Sequence, residues 1–348
     1  MRFRSDRFTG APGSEFDGRG CAVNKRRAAF GGYTACVPDD ARRIEVRTRD
    51  AGRRLDLFLA ESLDLSRAQA RRLLARGVVR VNGRSVAVEA KGTPVVAGAQ
   101  IAIASFTRPE RQRPRAQPEL LLDVLAEGPG WLAVDKPAGT PVHPLDEQET
   151  GTVLNALLAR HPEAWGVGEG ALRSGVVHRL DVETSGVLLM ATREEVWQRL
   201  REAFRSHRVE KVYRAIVSGR VEDVGRLTLP LVTARHRPAR VRVLGLEEGR
   251  RARGARDAIL SWRVLERFAH AALVEVRPVT GFLHQIRAIF AHLGAPLIGD
   301  RTYGSARDVR GAARHMLHAS QIATEEIRAE SADPADFSAL LDQLRGAR

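Results

Sequence analysis

The stretch HRLDVETSGVLLMAT, from His178 to Thr192, joins two patterns that seldom adjoin. Its first part is charged and polar, and GVLLMA after it is an uninterrupted apolar run. A short apolar run next to turn residues is typical of a strand buried on both faces. Such a strand fixes the backbone of the loop before it, and Asp181 lies in that loop. The sequence therefore predicts a buried strand that holds a charged loop at a functional site.

Asp181 has companions elsewhere in the chain. An aspartate before Thr-Ser-Gly is most often a turn or cap residue, so Asp181 alone does not indicate chemistry. Other polar groups, however, also adjoin short apolar runs. These segments are AVDKPAGTPVHP (133–144) with Lys136, EKVYRAIVSG (210–219) with Lys211 and Tyr213, TGFLHQIR (280–287) with His284 and Arg287, GDRTYG (299–304) and HMLHA (315–319). Together they favour a functional site over an isolated turn.

The composition is that of a globular protein. The chain has 348 residues, of which 43% are hydrophobic and 28% charged, and this length favours two domains. No apolar run approaches the ~18 residues of a membrane span, and the first residues lack the apolar stretch of a signal peptide. Two cysteines, Cys21 and Cys36, do not make a disulfide framework. We expect a cytoplasmic protein.

The charge distribution points to a polyanionic partner. The net charge is +14, and residues 51–115 hold 13 Arg or Lys against five Asp or Glu. A basic excess of this kind binds phosphates by releasing their counterions. Because more than half of the net charge lies in under a fifth of the chain, codon bias toward arginine does not explain it. Nucleic acid is the expected partner.

A small basic domain is predicted over residues 44–104. RRLDLFLAESL places leucines and Phe58 on one helical face. Ser66 is a good cap for a second helix, RAQARRLLAR, which Gly77 ends. The pair Asn82-Gly83 then suits a type I′ hairpin turn. The outer side of the second helix carries arginines four residues apart, which we predict to bind RNA: Arg67, Arg71, Arg72 and Arg76.

The remaining segments complete the predicted domain organisation. Residues 1–43 show no sustained period and are expected to be disordered or an extension outside the fold. The Pro-interrupted, charged stretch 105–118 is a linker. From 119 to 348, short β-type runs alternate with helical stretches, which predicts an α+β or mixed-sheet domain.

The motifs of the second domain resemble the RluA-type family of RNA pseudouridine synthases. HRLDxxTSG is the most specific signature, and DKPAGxxVHP, KxYxA, HQIR, GDxxYG and LHA occur in the family's order. The segment 44–104 resembles the S4 RNA-binding domain that often accompanies that family. The resemblance implies an α+β catalytic domain with a central mixed β-sheet flanked by helices. It implies a monomer that isomerises uridine in RNA with no metal and no cofactor.

The family resemblance also assigns roles to residues. Asp181 matches the essential aspartate, which attacks the sugar, attacks the base or removes a sugar proton. Arg287 matches the arginine that pairs with it, and a neighbouring cation keeps a carboxylate ionised. Tyr213 matches the tyrosine that packs on the target base, with a possible part in removing its carbon-5 proton. Arg179 matches the arginine that fills the space left by the displaced base.

Other residues have two interpretations each. Lys136 and His284 are assigned to RNA binding, with a structural role as the alternative. His178, Thr184 and Ser185 are interpreted as supports of the loop. His315 and His318 have the spacing of a metal pair, but no patterned Cys or carboxylate completes a site, so no metal is expected. One departure is clear in TGFL, where the family usually has arginine and threonine in place of Phe282 and Leu283.

Three classes of function stay open at this point. The first is a pseudouridine synthase acting on structured RNA, with large-subunit ribosomal RNA expected and transfer RNA as the alternative. The second is a catalytically silent RNA-binding assembly factor. The third is a hydrolase of glycosidic bonds, which requires two carboxylates, with Glu183 the nearest partner for Asp181.

Overall fold

The computed structural model describes residues 42–236, 239–304 and 311–347. The disorder or extension predicted for residues 1–43 falls on 1–41, which lie outside the described residues. Arg42 and Arg43 already belong to a strand, paired with Ile103 and Ala102. No helix in the described ranges is long and apolar enough to cross a membrane.

The described residues form fourteen strands and seven α-helices. The strands are β1 (Arg42–Glu45), β2 (Val79–Val81), β3 (Arg84–Ser85), β4 (Gln100–Ile103), β5 (Asp123–Gly128), β6 (Trp131–Lys136), β7 (Ser185–Ala191), β8 (Glu210–Ser218), β9 (Val224–His236), β10 (Ala239–Val243), β11 (Arg256–Arg267), β12 (Ala271–Pro278), β13 (Leu317–Ala323) and β14 (Arg328–Glu330). The helices are α1 (Leu55–Ser62), α2 (Arg67–Ala75), α3 (Val153–Arg160), α4 (Glu194–Arg205), α5 (Leu246–Arg251), α6 (Gln285–His292) and α7 (Ala335–Gly346).

The small N-terminal sheet has the strand order β1-β4-β2-β3, with α1 and α2 packed on it. The predicted start of α2 is confirmed, because the Ser66 hydroxyl accepts from the Gln69 amide in a capping box. Gly77 follows the helix with φ 68°. Asn82 and Gly83 have φ values of 49° and 79°, as the predicted type I′ turn requires.

Asp56 is the buried charge of this small domain. Its side chain is fully buried and accepts hydrogen bonds from the guanidinium groups of Arg54 and Arg71, the shortest at 2.6 Å. Burial alone would raise the pKa of Asp56, but the bonds from the two arginines outweigh it and lower the pKa to about 2. The stability that Asp56 contributes is therefore complete above about pH 4 and is lost as the pH falls through about 2.

Asp56→Asn is expected to destabilise the small domain by about 2 kcal/mol at neutral pH, because the ionised form is the one the arginines bind. Peptides from α1 and α2 should then exchange their amide hydrogens roughly tenfold or more faster, as measured by mass spectrometry. The effect should shrink in acid toward about pH 2. Asp64→Asn is the matched control, because Asp64 is exposed and makes no ion pair within the described residues. Equal exchange in the two variants would contradict the assignment.

The large sheet has the order β10-β9-β11-β12-β8-β13-β7-β6-β5, with β14 added to β13. Within the described strands, β7 and β13 are parallel and the other neighbours are antiparallel. Helices lie against both faces: α6 and α7 pack on opposite sides near β8 and β12, and α3 and α4 do so near β7. The predicted α+β fold with a central mixed sheet flanked by helices is confirmed.

Strand β7 explains the apolar run GVLLMA. All seven of its residues are buried. Leu188 and Met190 pack with α3 on one face of the sheet, and Val187 and Leu189 pack with α4 on the other. A strand covered on both faces has no solvent side on which to place polar residues, so the usual alternation is lost.

The predicted linker, 105–118, packs on its neighbours. Phe106 is buried in the core of the small domain. Further along, the Arg113 guanidinium lies 4.9 Å from the centre of the Trp165 ring, and the Asn155 side chain donates to the Arg115 carbonyl at 2.6 Å. The segment is therefore fixed to the catalytic domain by side-chain contacts over its second half.

Gly186 allows β7 and β13 to approach each other. It pairs with Ala319 and has φ 109°, and a Cβ at this position would lie 2.2 Å from the Ala319 carbonyl oxygen. Only glycine adopts this backbone conformation readily. The contact matters for function because the loop that carries Asp181 enters β7 directly before this point.

Gly186→Ala is expected to lower the free energy of unfolding by about 2–5 kcal/mol, because a strained φ and an overpacked contact add. Urea unfolding followed by tryptophan fluorescence measures this. Gly245→Ala is the control, since Gly245 has φ −64° and open space around it. Similar unfolding midpoints for the two variants would show that the close approach of β7 and β13 is not required.

Candidate active site

A cavity of about 490 Å³ opens where the loop 178–184, β8 and the start of α6 meet. Among the described residues that line it, Asp181 is the one carboxylate. Tyr213 and Phe282 contribute aromatic walls. The remaining charge is basic, from Arg179, Arg201, Arg205, Lys211, Arg256 and Arg287. A single carboxylate in a basic pocket suits a phosphate-bearing substrate that meets one acidic group.

Arg287 connects two carboxylates. Its Nη1 lies 3.0 Å from Asp181 Oδ2, while its Nε and Nη2 donate to the two oxygens of Asp300 at 2.7 and 3.0 Å. Asp300 is buried and also accepts from the amides of Thr302 and Tyr303. Burial raises the pKa of Asp300, but the bonds from Arg287 outweigh it, so the pKa is lowered. The bidentate pair fixes the guanidinium, which in turn orients Asp181.

His284 is a second neighbour of Asp181. Its Nε2 lies 3.8 Å from Asp181 Oδ2, and its Nδ1 lies 3.0 Å from the Tyr303 hydroxyl. His284 precedes α6 with φ 51°, a left-handed conformation that directs the ring into the cavity lining. Burial lowers the pKa of His284, with Asp181 opposing the shift, so the neutral imidazole is favoured. The neutral imidazole is better suited to a hydrogen bond with a substrate than to an ion pair with a phosphate.

Tyr213 faces the cavity from β8. In the sheet it pairs with Ala319 of β13, which itself pairs with Gly186 of β7. The small residues in this row leave room beside the phenol ring. Burial, followed by the charge of Asp181, raises the pKa of Tyr213 above its usual value of 10.0. The phenol is therefore protonated at neutral pH.

Lys136 supports the Asp181 loop from inside the protein. Its side chain is fully buried, and Nζ donates to the carbonyls of Pro137, Thr140 and Val182, each at 2.8 Å. The Gly139 amide donates to the same Val182 carbonyl. All three donors of the ammonium are used, so none is left for an RNA phosphate. The structural alternative for Lys136 is favoured over the predicted RNA contact.

Arg314 supports the same loop from the other side. This buried guanidinium donates to the Glu183 carbonyl at 3.0 Å and to the Ser185 hydroxyl at 3.2 Å, and it forms a bidentate ion pair with Asp336 of α7. Together with Lys136, it holds two consecutive carbonyls of the loop. A loop fixed in this way keeps its side chains in one geometry.

The polar residues interpreted as supports make the contacts that role requires. The Thr184 hydroxyl lies 2.8 Å from His315 Nε2, and the Ser185 hydroxyl lies 3.0 Å from His318 Nδ1. Both histidines of HMLHA are thus engaged by the loop. His178 Nε2 accepts from the Leu189 amide at 2.9 Å. Burial lowers the pKa of His178 to about 3, so its ring is neutral.

Arg179 differs from the supporting residues. It lines the cavity, is exposed, and has no hydrogen-bond or ion-pair partner among the described residues. Burial, followed by the charges of Arg173 and Arg179, lowers the pKa of the neighbouring His143 to about 4. An unpaired planar guanidinium at the cavity wall is available to stack on a base.

The departure at Phe282 and Leu283 lies beside the cavity. Phe282 lines it, and both side chains pack against the core beneath β9 and β11. The turn is held by Gln285, whose side chain accepts from the Phe282 amide at 3.0 Å and from the Thr280 hydroxyl at 2.8 Å. An apolar wall thus replaces the charged one expected from the family.

The arginines of α2 are divided between internal and external contacts. Arg71 binds Asp56, and Arg67 lies 3.9 Å from it with about half of its side chain exposed. Arg76 forms ion pairs with Asp146 and Glu147, and the charge of Arg72 acts on Asp146. Part of the predicted RNA-binding face is therefore directed at the catalytic domain. The hairpin arginines Arg80 and Arg84 are exposed.

Several residues of the site were not singled out by sequence. Asp300 and Tyr303 lie in the motif GDRTYG, so their positions were marked but their roles were not. The position of Lys211 was also marked without a role. Its Nζ donates to the carbonyls of Val279 and Thr280. Arg314 had no sequence signal, because its partners in the loop lie about 130 residues away in the chain.

Comparisons with known proteins agree with this geometry. A model of the family RNA pseudouridylate synthase matches residues 130–292, and a model of the S4 domain matches residues 53–90. An uncharacterised RNA pseudouridine synthase of Chloroflexus aurantiacus is 36% identical, over 88% of this chain and 94% of that protein. The chain belongs to the RNA pseudouridine synthase family. The resemblance to this family, with an S4 domain, is thereby confirmed.

Further relatives of this pseudouridine synthase support the assignment. The ribosomal large subunit pseudouridine synthase D of Xanthomonas campestris is 34% identical, over 89% of this chain and 92% of that protein. The structure of human RNA pseudouridylate synthase domain containing 4 has a TM-score of 0.53 and 25% identity, covering 64% of this chain and 93% of that one. The protein is accordingly an isomerase that acts on RNA.

Asp300→Asn is expected to lower the kcat of this synthase by about 10- to 100-fold, because the loss of one charged bidentate partner releases Arg287. The KM for RNA should change little, since Asp300 is buried beneath the cavity. Tritium release from RNA labelled at uridine carbon-5 measures both constants. Glu275→Gln is the control, because Glu275 pairs with Arg263 and Arg277 and does not line the cavity. Equal kcat values in the two variants would contradict the positioning role.

Proposed function

We propose that this enzyme isomerises uridine in the ribosomal RNA of the large subunit. The observation that carries the proposal is a basic cavity whose one carboxylate, among the described lining residues, is bound by a fixed arginine. The large-subunit substrate is supported by relatives named ribosomal large subunit pseudouridine synthase D, from Xanthomonas campestris and Vibrio parahaemolyticus. The S4 domain adds a module suited to structured RNA.

Asp181 is proposed to begin the reaction. The bond between ribose carbon-1′ and base nitrogen-1 breaks, the base turns, and a bond forms from carbon-1′ to carbon-5. Carbon-5 loses its proton and nitrogen-1 gains one, so the mass of the RNA is unchanged. An ionised carboxylate serves as nucleophile or as base in this sequence. Arg287 Nη1 donates to the Asp181 carboxylate at 3.0 Å and so holds it in position for this step.

Tyr213 is proposed to pack on the target base. Its raised pKa keeps the phenol protonated at neutral pH, which favours packing over removal of the carbon-5 proton by a phenolate. The ring lies in the cavity wall next to the Asp181 loop. A protonated tyrosine also donates a hydrogen bond to the base as it turns.

Arg179 is proposed to occupy the space that the target base leaves. Taking a base out of its stack costs a few kcal/mol, and a guanidinium that stacks in its place offsets part of this cost. The absence of a partner for Arg179 among the described residues is consistent with this role. His284 is proposed to contact the RNA or its ribose as a neutral ring.

The hydrolase alternative lacks its second carboxylate. Glu183 is exposed and is not among the residues that line the cavity, while Asp300 is buried behind Arg287. A glycosidase of the usual kind places two carboxyl groups on either side of the bond it cleaves. The cavity therefore favours isomerisation.

The S4 domain is proposed to bind RNA mainly through Arg67 and the exposed arginines of the hairpin, Arg80 and Arg84. A monomeric state is proposed as well. The ribosomal RNA substrate supports a cytoplasmic location. The proposed domain boundaries are 44–104 for the S4 domain and 119–348 for the catalytic domain.

The test is tritium release from RNA labelled at uridine carbon-5, with ribosomal and transfer RNA from a strain lacking the protein assayed separately. The wild type should release tritium from ribosomal RNA, and Asp181→Ala should show none above background because the reaction has lost its carboxylate. Glu183→Gln, a carboxylate change two residues away, should leave the rate within about twofold.

The possible outcomes separate the alternatives. Tritium release from transfer RNA alone would show that the substrate is transfer RNA. Free uracil among the products would indicate hydrolysis. RNA binding without release from either RNA would support the assembly-factor alternative.

A further inference from the structure

A second basic groove adjoins the active cavity. It has a volume of about 320 Å³ and lies between the turn after α4 and the ends of β9, β11 and β12. Lys211 and Pro278 line both the groove and the active cavity. The two spaces are therefore neighbours.

The groove is basic, because the one carboxylate among its described lining residues is already paired with an arginine. Its one acidic side chain among the described lining residues is Glu210, which is bound by Arg277. Arg277 is also paired with Glu275. Arg208 and Arg226 also line the groove, both are exposed, and neither forms an ion pair within the described residues.

Exposed arginines elsewhere on the catalytic domain are paired differently. Many of them have a carboxylate within ion-pair distance, as shown by Arg242 with Glu248, Arg250 with Glu247, Arg263 with Glu275 and Arg345 with Glu266. Others, such as Arg193, Arg220 and Arg253, are exposed and form no ion pair within the described residues, so Arg208 and Arg226 are distinguished by their place beside the active cavity. Unneutralised guanidinium groups next to a phosphate-handling site favour an anionic occupant.

His207 gives a second, independent observation at the same groove. It lines the groove and has φ 58°, a left-handed conformation that usually favours glycine. The Arg208 amide bonds to the Ala203 carbonyl and the His207 amide to the Phe204 carbonyl, which is the hydrogen-bond pattern of a Schellman helix end. A non-glycine residue is strained in this conformation, and the exposed imidazole of His207 has no hydrogen-bond or ion-pair partner among the described residues.

We propose that this groove binds the sugar-phosphate backbone of the RNA strand next to the target uridine, with Arg208 and Arg226 contacting phosphates and His207 contacting the strand between them. The occupant is a single strand, because the groove is smaller than the active cavity and shares the lining residues Lys211 and Pro278 with it. Apolar side chains of Val209 and Val279 form walls against which a ribose packs. The inference rests on the proposed function for the position of the target uridine in the neighbouring cavity.

The first experiment compares two double variants that remove the same charge. Arg208→Ala with Arg226→Ala removes the groove arginines, and Arg250→Ala with Arg345→Ala removes two arginines that are paired with carboxylates and line neither space. The probe is a fluorescein-labelled oligouridylate of about 12 nucleotides, with binding followed by anisotropy at several salt concentrations.

The groove variant should bind roughly tenfold or more weakly than the wild type. Its plot of log affinity against log salt should be shallower by about 1.4, because each phosphate contact on a single strand contributes about 0.7. The control variant should keep the slope of the wild type. Equal losses in both variants would show an effect of net charge alone and overturn the proposal.

His207→Gly separates binding from folding. It should raise the unfolding midpoint, because glycine relieves the left-handed strain, and at the same time weaken oligouridylate binding. A stabilised variant with unchanged affinity would remove His207 from the proposal.

An activity assay distinguishes a failure of this inference from a failure of the proposed function. With the reactive RNA, the groove variant should raise KM and leave kcat near the wild-type value, because neither arginine lines the active cavity. If the wild type releases no tritium from any RNA, the proposed function fails, whereas the anisotropy experiment still decides whether the groove binds a strand.

Discussion

The site depends on one buried guanidinium that is shared by two carboxylates. Arg287 is nearly inaccessible to solvent, and a buried cation is stable only if it is paired and hydrogen-bonded. Asp300 binds Nε and Nη2 and is itself fixed by two backbone amides, so the Nη1 edge of the planar guanidinium is held in one direction. That direction is toward Asp181. The geometry of the Asp181 carboxylate is thus set by the ion pair between Arg287 of α6 and Asp300, which follows that helix.

A second constraint acts on the backbone that carries Asp181. Lys136 binds the carbonyl of Val182, and Arg314 binds the carbonyl of Glu183, so consecutive peptide groups are held by cations from opposite sides. Neither cation reaches the cavity lining. The charges that shape the loop are therefore separate from the charges that meet the substrate. This separation allows the rim of the cavity to vary, as the apolar Phe282 illustrates, while the loop keeps its form.

The sequence predicted the elements whose signals are local. The two-sided burial of β7, the capped helix α2 and the Asn82-Gly83 turn each follow from residues within one element. Roles that depend on distant partners were not accessible. The sequence assigns Lys136 to RNA binding because its three carbonyl partners cannot be seen there. It assigns Arg76 to the RNA-binding face because its ion pair with Asp146 cannot be seen either. Pairings between residues 46 to 131 positions apart leave no periodic trace in a single sequence.

The attachment of the Asp181 loop to β13 also sets the order in which the protein becomes functional during synthesis. Thr184 and Ser185 are supported by His315 and His318, and β7 completes its pairing only with Ala319. A nascent chain that has already produced HRLDVETSG therefore holds the motif without its supports until segment 314–319 has left the ribosome. Contacts of such long sequence separation form late in folding. The Asp181 loop is in this way completed only when nearly all of the described chain is available to fold.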